Sequence, residues 1–505
     1  MSTRAPYSNG CHACRRMKVK CDERKPRCGR CTKARRVCPG YRDVNQVIFR
    51  SMNVGHASKA KASCLSQKRT VSDITVSDHV GGIELTPFAS RLLIQPSESW
   101  DSKAISHFLH NYAFAPTRDN PGYLGFLPDL LGKSPRTWYL ESAVLAAGSA
   151  SLANITGLEY LERTAKKYYG ETLLSISGAL KDPLGASSDA ALSAILVIQM
   201  YEAIAGITSV SRDPHDKGLI QLSRLRGNVQ PSTDNGNALL RIIHSRLHNN
   251  AIGGLSPSPI GAEYDAEAVN VPTHQTELCR LMRETSQCCA EIQAMVLVSS
   301  KVVVKSEIIK SLDNLFSVYR CLIAWWAAAH SRHSYQSYKT PSRRDCDLRP
   351  DTFPVKYHIF KSLHQGGVWI SFWCTLIHAL QILVYASSLP ALKQIFNEGQ
   401  QSWNLREQLC NTVDEICACV PYMMSDVDQS GLPTVGKDCK ALGAYMLSRG
   451  LYVASCVAEC NNVQREYMTK TFLRIAHGRG IKLALRPINR WLNQHQESAT
   501  QYHRI

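Results

Sequence analysis

The sequence predicts a mainly α-helical protein with a small cysteine-rich head, a flexible linker and a large all-α body. Three observations predict this organisation. Six cysteines recur with a repeated spacing between Cys11 and Cys38, residues 51–85 are rich in Ser, Lys, Thr and Gly, and apolar residues recur at helical spacing from about Trp100 onward. With 505 residues, the chain is long enough for several domains or for one large helical domain.

The cysteine-rich stretch repeats itself. Its spacing is C-x2-C-x6-C, then six residues, then C-x2-C-x6-C again. The N-terminus lacks the apolar core of a signal peptide, so we expect a reducing compartment, where clustered cysteines hold metal rather than form disulfides. Structural zinc is tetrahedral and favours thiolate, so two separate ions would need eight ligands. Only six cysteines are present: Cys11, Cys14, Cys21, Cys28, Cys31 and Cys38.

Two bridging thiolates would make up the difference. Cys11 and Cys28 occupy equivalent first positions in the two halves, so we predict that they bridge two zinc ions. One ion would take Cys11, Cys14, Cys21 and Cys28; the other would take Cys28, Cys31, Cys38 and Cys11. Because a stretch of about thirty residues cannot build a hydrophobic core, metal binding would supply most of its folding free energy.

Positive charge is concentrated in the head. Residues 1–50 contain fourteen Lys/Arg and three Asp/Glu, a net charge of +11, which leaves +7 for the other 455 residues. A compact basic head predicts a polyanionic partner. Lys18 carries a donor suited to guanine O6 and N7. For other basic residues we weigh a phosphate contact against a solvated surface role; they are Arg15, Arg16, Lys20, Arg30, Lys33, Arg35 and Arg36.

The head resembles the fungal binuclear zinc cluster, Zn(2)-Cys(6), family of transcription factors. The pieces that carry the resemblance are CHACRRMKVKCD, KPRCGRC and the closing Cys38. The resemblance implies that the end of a first short helix enters the major groove of double-stranded DNA, that Lys18 reads a CGG-type triplet, and that Pro26 forms a loop. It also implies a nuclear, zinc-dependent regulator of RNA polymerase II transcription. Met17 departs from the family pattern, which usually has Arg or Lys there.

We divide the chain into four parts. Residues 1–10 are a disordered lead, 11–42 the zinc cluster domain, 43–99 a linker, and 100–505 an all-α regulatory domain with a lobe break near 331–352. Directly behind the cluster, apolar residues do not sustain the spacing of a coiled coil. The basic runs Arg15–Lys20 and Lys59–Arg69 have the composition of nuclear import signals, although the second could equally be a solvated linker.

The body shows helical periodicity throughout. Ser188 and Asp189 are suited to capping a helix over Ala190–Ala205, which is apolar on nearly every face and should be central. Small residues over Leu140–Ala153 would allow close helix packing. Looser stretches, including NPGYLGFLPDLL and DAALSAILVIQMYE, resemble the helical regulatory domain of the same family. That resemblance implies that the body regulates, forms a homodimer or meets transcription co-regulators.

Other readings of the body are less supported. The sequence contains no evident Ser-His-Asp set, phosphate-binding glycine loop or zinc-hydrolase motif, so we predict no enzyme, and its apolar runs predict no membrane span. Cys288–Cys289 and the pair Cys417 and Cys419 are expected to be buried small hydrophobes. Trp325, Trp326 and Trp373 are expected in the core. The alternative function is a metabolite-sensing regulator whose helical body binds a small ligand and controls the head.

Overall fold

The computed structural model describes two ranges of the chain. They are residues 11–38, apart from 12, 15–16, 18, 25–26 and 37, and residues 99–489, apart from 118–121, 133–137, 182, 208–213, 227–232, 255–256, 260–272, 299–304, 333–334, 341–352, 390–391, 393–403 and 435–439. The predicted lead, linker and second basic run lie outside these ranges. The chain divides into two compact units, Met1–Phe88 and Ala89–Ile505.

The described head contains one short helix, α1 (Gly29–Lys33). Its N-cap is Cys28, whose side chain accepts a hydrogen bond from the backbone N–H of Cys31. It ends in a Schellman motif, in which Arg36 N–H donates to the Cys31 carbonyl and Arg35 N–H to the Thr32 carbonyl. Arg35 adopts the left-handed conformation that this motif requires, with φ of 49°. The interior of the head consists mainly of cysteines.

The body is helical, as predicted. Its first helices are α2 (Trp100–Tyr112), α3 (Leu127–Gly132), α4 (Trp138–Thr156), α5 (Glu159–Ala179), α6 (Pro183–Ala186), α7 (Asp189–Ala205), α8 (Pro214–Arg226) and α9 (Asp234–Gly254). They are followed by α10 (Thr273–Val298), α11 (Lys305–Arg332), strands β1 (Gln336–Lys339) and β2 (Lys356–Ile359), α12 (Leu363–Ser388), α13 (Leu405–Ala418), α14 (Val420–Met423), α15 (Ala441–Ser455), α16 (Asn462–Gly478) and a 3-10 turn, Lys482–Leu485.

One hydrophobic core is built around α4 and α7. The Ser188 side chain caps α7 by accepting from Ala191 N–H, which confirms the predicted role of Ser188. Small residues in α4 let α2 approach closely: a Cβ at Gly148 would lie 2.1 Å from the Ala104 carbonyl oxygen. The predicted small-residue packing is therefore present.

A second core surrounds α12. This helix is long and apolar enough to cross a bilayer, with a mean hydropathy of 1.7 over its most apolar window, but 78% of that window is buried inside the protein. A helix in the core of a folded domain can have the same length and composition. In α12, Trp369 and Trp373 are fully buried. Trp325 is buried as predicted, whereas Trp326 is 38% exposed and stacks on His330.

The described part of the segment near 331–352 contains a strand. Gln336–Lys339 forms β1, which pairs antiparallel with β2 in the register Gln336 to Ile359. The second core contains buried residues from both sides of this segment, so it does not separate two cores. The helix that follows, α12, begins at Leu363, where Ser362 caps it by accepting from Gln365 N–H.

Candidate metal centre and nucleic-acid interface

The structure brings the six predicted ligand cysteines together in two groups of four. Within each group the sulfur atoms lie within 4.8 Å of one another. One group is Cys11, Cys14, Cys21 and Cys28, and the other is Cys11, Cys28, Cys31 and Cys38. Cys11 and Cys28 belong to both groups, and their sulfur atoms are 3.6 Å apart.

The spacing of the sulfur atoms fits tetrahedral zinc. A Zn–S bond of about 2.3 Å gives an S···S edge of about 3.8 Å in a regular tetrahedron. Cys11 Sγ lies 3.7 Å from Cys31 Sγ, and Cys14 Sγ lies 3.8 Å from Cys28 Sγ. All six side chains are free thiols, and all except Cys21 are buried. The donor set and its spacing therefore fit two zinc ions.

The backbone repeats with the cysteines. Cys11 and Cys28 are seventeen residues apart, and the hydrogen bonds of the first half recur at that offset in the second. Cys14 N–H donates to Cys11 Sγ at 3.5 Å, as Cys31 N–H does to Cys28 Sγ at 3.3 Å. Cys11 N–H donates to Cys21 Sγ, as Cys28 N–H does to Cys38 Sγ. Such bonds favour thiolate over thiol.

The fold of each half also repeats in its carbonyl contacts. Val19 N–H donates to the Cys14 carbonyl at 3.0 Å, and the equivalent Arg36 N–H donates to the Cys31 carbonyl at 3.0 Å. The identical cysteine spacing of the two halves is thus matched by equivalent backbone hydrogen bonds. Because the two halves repeat, the first cysteine of each half lies in both groups of sulfur atoms.

Crowding of the thiols changes their acidity. Burial, followed by hydrogen bonds with Cys11 and Cys28, raises the pKa of Cys14 to about 12. A hydrogen bond with Cys28, followed by burial, raises the pKa of Cys31. Burial opposes ionisation of Cys21, but the backbone N–H groups of Cys11 and Glu23 outweigh it and lower its pKa to about 7. Metal binding must displace the retained protons.

Asp22 is a structural residue of the head that was not predicted from the sequence. Its Oδ2 accepts from Gly29 N–H at 2.9 Å, which places a carboxylate at the first residue of α1. A Cβ at position 29 would lie 2.5 Å from that oxygen, so glycine is required for this contact. An acidic residue directly after the third cysteine was the available signal. Asp22 ties the end of the first half to the start of the second.

The described basic residues form an exposed surface. Lys20, Arg30, Lys33, Arg35 and Arg36 are all exposed. Further exposed cations, Arg24 and Arg27, were not singled out by sequence reasoning. Of the other predicted DNA contacts, Arg15, Arg16 and Lys18 lie outside the described residues, as does Pro26.

Position 17 is part of this surface. Met17 is 43% exposed, and Arg36 Nη1 donates to its sulfur at 2.6 Å. A guanidinium group from the second half therefore lies beside the site where the resembling family usually carries a cation. Arg30 Nη1 similarly donates to the Lys20 carbonyl at 3.3 Å. These contacts hold two arginine side chains of the second half against the first half.

The head is thus a small basic module whose interior is a set of six thiols suited to two metal ions. Residues 9–46 match the family model described as the fungal Zn(2)-Cys(6) binuclear cluster domain. Over 44 residues the chain is 43% identical to White-opaque regulator 2 of Candida albicans, a match that covers 9% of this chain and 10% of that relative. No solved structure matches the chain.

The N-terminal module therefore belongs to the fungal Zn(2)-Cys(6) binuclear cluster family, and its cofactor is a pair of zinc ions. This confirms the predicted family and cofactor. The match spans about a tenth of the length of the curated relative, so it concerns the head and not the helical body.

Proposed function

We propose that this chain is a zinc-dependent, sequence-specific DNA-binding transcription factor that acts in the nucleus on RNA polymerase II transcription. The observation that carries the proposal is the pair of four-thiol groups enclosed by exposed cations. The fungal Zn(2)-Cys(6) match and the regulator named in the Candida albicans relative support the same function. The nuclear location follows from this function.

In this proposal the zinc ions hold the head in its folded form. Cys14 and Cys21 would hold one ion, Cys31 and Cys38 would hold the other, and the shared Cys11 and Cys28 would hold both. The distances of 3.6–3.8 Å between neighbouring sulfur atoms support this assignment. The role of the metal is structural, because each ion has four thiolate ligands and no open position for a reacting group.

Base reading is assigned to Lys18, and affinity to the cations around it. Lys18 would donate to guanine O6 and N7 of a CGG-type triplet in the major groove. Arg15, Arg16, Lys20, Arg30, Lys33, Arg35 and Arg36 would contact phosphates. If about five phosphates are neutralised, the slope of log affinity against log salt is about −4.5, so affinity falls about 500-fold between 50 and 200 mM salt.

Two variants separate these roles. Lys18→Ala should lose discrimination between a CGG-containing duplex and one with that triplet scrambled. Lys33→Ala is the matched control, because it should weaken binding to both duplexes equally and reduce the salt slope by about one. Fluorescence anisotropy with full-length protein measures both. Intact discrimination by Lys18→Ala would remove this lysine as the base reader.

The helical body is proposed to regulate the head through homodimer formation or contact with transcription co-regulators. Within the described body, large apolar side chains are exposed on α5, where Leu174 is 79% and Tyr160 is 60% exposed. The second candidate function is ligand sensing by the body, and a large cavity that combines apolar walls with arginine side chains favours it. Sedimentation of the full-length protein tests the homodimer, since a monomer at micromolar concentration would argue against it.

A further inference from the structure

The helical body contains a cavity of about 800 Å³. Small-molecule sites in proteins have volumes of about 300–1,000 Å³ and combine apolar walls with a few placed polar groups. This cavity is lined by residues from both hydrophobic cores, including Leu247 of one core and Met282 and Ile370 of the other. It lies wholly inside the body, so its chemistry can be considered apart from the head.

One carboxylate organises the polar wall of the cavity. Gln199 Nε2 donates to Asp216 Oδ1 at 2.8 Å, and the Asn250 side chain donates to Asp216 Oδ2. Arg246 Nε lies 3.7 Å from Asp216 Oδ1, and Arg246 Nη1 donates to the Tyr445 hydroxyl at 3.0 Å. Asp216 therefore already compensates one guanidinium group, that of Arg246.

Arg449 brings a second guanidinium group into the same network. Its acceptors among the described residues are neutral: the Asn249 carbonyl oxygen at 2.6 Å and the Asn250 side-chain oxygen. Burial and the nearby Arg246 both lower the pKa of Arg449. Arg449 is half-buried and has no carboxylate within hydrogen-bond distance among the described residues. A partly desolvated cation of this kind is costly, and a carboxylate arriving in the cavity would relieve that cost.

The wider lining is also cationic. It contains five Lys/Arg residues, Lys217, Arg241, Arg246, Arg449 and Arg486, against the two acidic residues Glu202 and Asp216, a formal balance of +3. Glu202 is itself engaged, because it accepts from the Tyr169 hydroxyl at 2.9 Å and lies 2.9 Å from His215 Nε2. His364 does not add charge near neutral pH, because burial lowers its pKa to about 4.

Much of the remaining wall is apolar. Ile242, Met282, Val368, Ile370 and Phe472 all line the cavity. A strongly hydrophilic anion such as inorganic phosphate would leave this surface uncovered, whereas an anion with a hydrocarbon part would cover it. The cavity thus combines a half-buried arginine, whose direct hydrogen-bond acceptors among the described residues are neutral, with a largely apolar wall.

We propose that this cavity binds a small organic anion with an apolar body, of the medium-chain carboxylate class, and that Arg449 binds its carboxylate. The uncharged analogue of such a ligand would keep the apolar contacts and lose the ion pair. A cationic analogue would meet repulsion from the arginine side chains. This site does not depend on DNA binding, so a failure of the proposed transcription-factor function would leave it standing.

Equilibrium dialysis of the full-length protein against octanoate, octan-1-ol and octylammonium tests the proposal, because the three probes share one hydrocarbon chain. We expect saturable binding of one octanoate per chain, weaker binding of octan-1-ol and the weakest binding of octylammonium. Arg449→Met should weaken octanoate binding about tenfold to a hundredfold, the loss of a charged hydrogen bond, and leave octan-1-ol binding unchanged.

Arg163→Met is the matched control, because Arg163 lies on the outer surface with a side chain that is 78% exposed. It should bind octanoate like the unaltered protein. If circular dichroism shows that Arg449→Met does not fold, Arg241→Met replaces it, because Arg241 also lines the cavity. Weaker octanoate binding by Arg241→Met would support the site, and unchanged binding would oppose it. Absence of saturable octanoate binding, equal binding of octanoate and octan-1-ol, or undiminished octanoate binding by folded Arg449→Met would overturn the proposal.

Discussion

Replacing Cys14 by alanine should cost the head one zinc ion, whereas replacing Cys11 should cost it both. Cys14 belongs to a single sulfur group, while Cys11 belongs to both groups and lies 3.6 Å from the other shared sulfur, that of Cys28. The two variants remove the same thiol chemistry from the same half of the repeat. A difference in zinc content between the two variants would therefore show that Cys11 is shared by both sulfur groups, because the loss of a cysteine is common to both variants.

The size of the effect follows from the number of bonds lost. Structural zinc sites contribute about 10–16 kcal/mol through four ligands, so each ligand is worth about 3 kcal/mol, or more than a hundredfold in zinc affinity. Cys14→Ala imposes this loss on one ion. Cys11→Ala imposes it on both ions, and no intact four-thiolate group remains in the head.

The assay is zinc content per chain by atomic absorption after dialysis against a chelator of intermediate affinity. We expect two ions for the unaltered protein, one for Cys14→Ala and none for Cys11→Ala. Cys456→Ala, at an exposed cysteine of the body, is the control and should retain two. Equal zinc content in Cys11→Ala and Cys14→Ala would refute the shared-sulfur arrangement.

Two further predictions concern the stability of the body. Gly148→Ala should destabilise it by about 3 kcal/mol in urea unfolding, because the new methyl group would lie 2.1 Å from the Ala104 carbonyl oxygen. Gly178→Ala, which meets no atom within 4 Å in a helix, should instead stabilise it by about 0.5–1 kcal/mol, and equal effects would contradict the packing described. His378 stays neutral when folded because burial lowers its pKa to about 4, whereas the unfolded chain protonates this residue near pH 6.5. The contribution of His378 to the free energy of unfolding is therefore complete above about pH 6.5, and about 2 kcal/mol of it is lost by pH 5. His378→Phe should reduce that loss, and an unchanged dependence of the unfolding free energy on pH would contradict the prediction.

Much of the head and of the helical body could be predicted from local patterns. The repeat of cysteines predicts which thiols come together because the offset between halves is fixed in the sequence. Ser188 predicts the start of α7 because a side-chain cap acts within three residues. The small residues around Gly148 predict close packing because helix spacing depends on side-chain size.

The remainder depends on contacts that no local pattern encodes. The strand Gln336–Lys339 is short and polar, and it pairs with Lys356–Ile359. Contacts with residues far away in the sequence hold this pair in place; one of them joins His358 Nε2 to Glu415 Oε2 at 2.7 Å. The Asp216 and Arg449 network joins residues more than 200 positions apart, so the cavity that favours ligand sensing could not be found from spacing. Asp22 was visible beside Cys21, but its role appears only when Gly29 is placed against it.

The most direct test of the central claim is a single zinc titration of metal-free protein that records both metal content and specific DNA binding. We predict that discrimination between a CGG-containing duplex and its scrambled counterpart appears as the second zinc ion binds, and that it disappears when a chelator removes zinc. Saturation at one ion per chain, or specific binding by the metal-free protein, would contradict it.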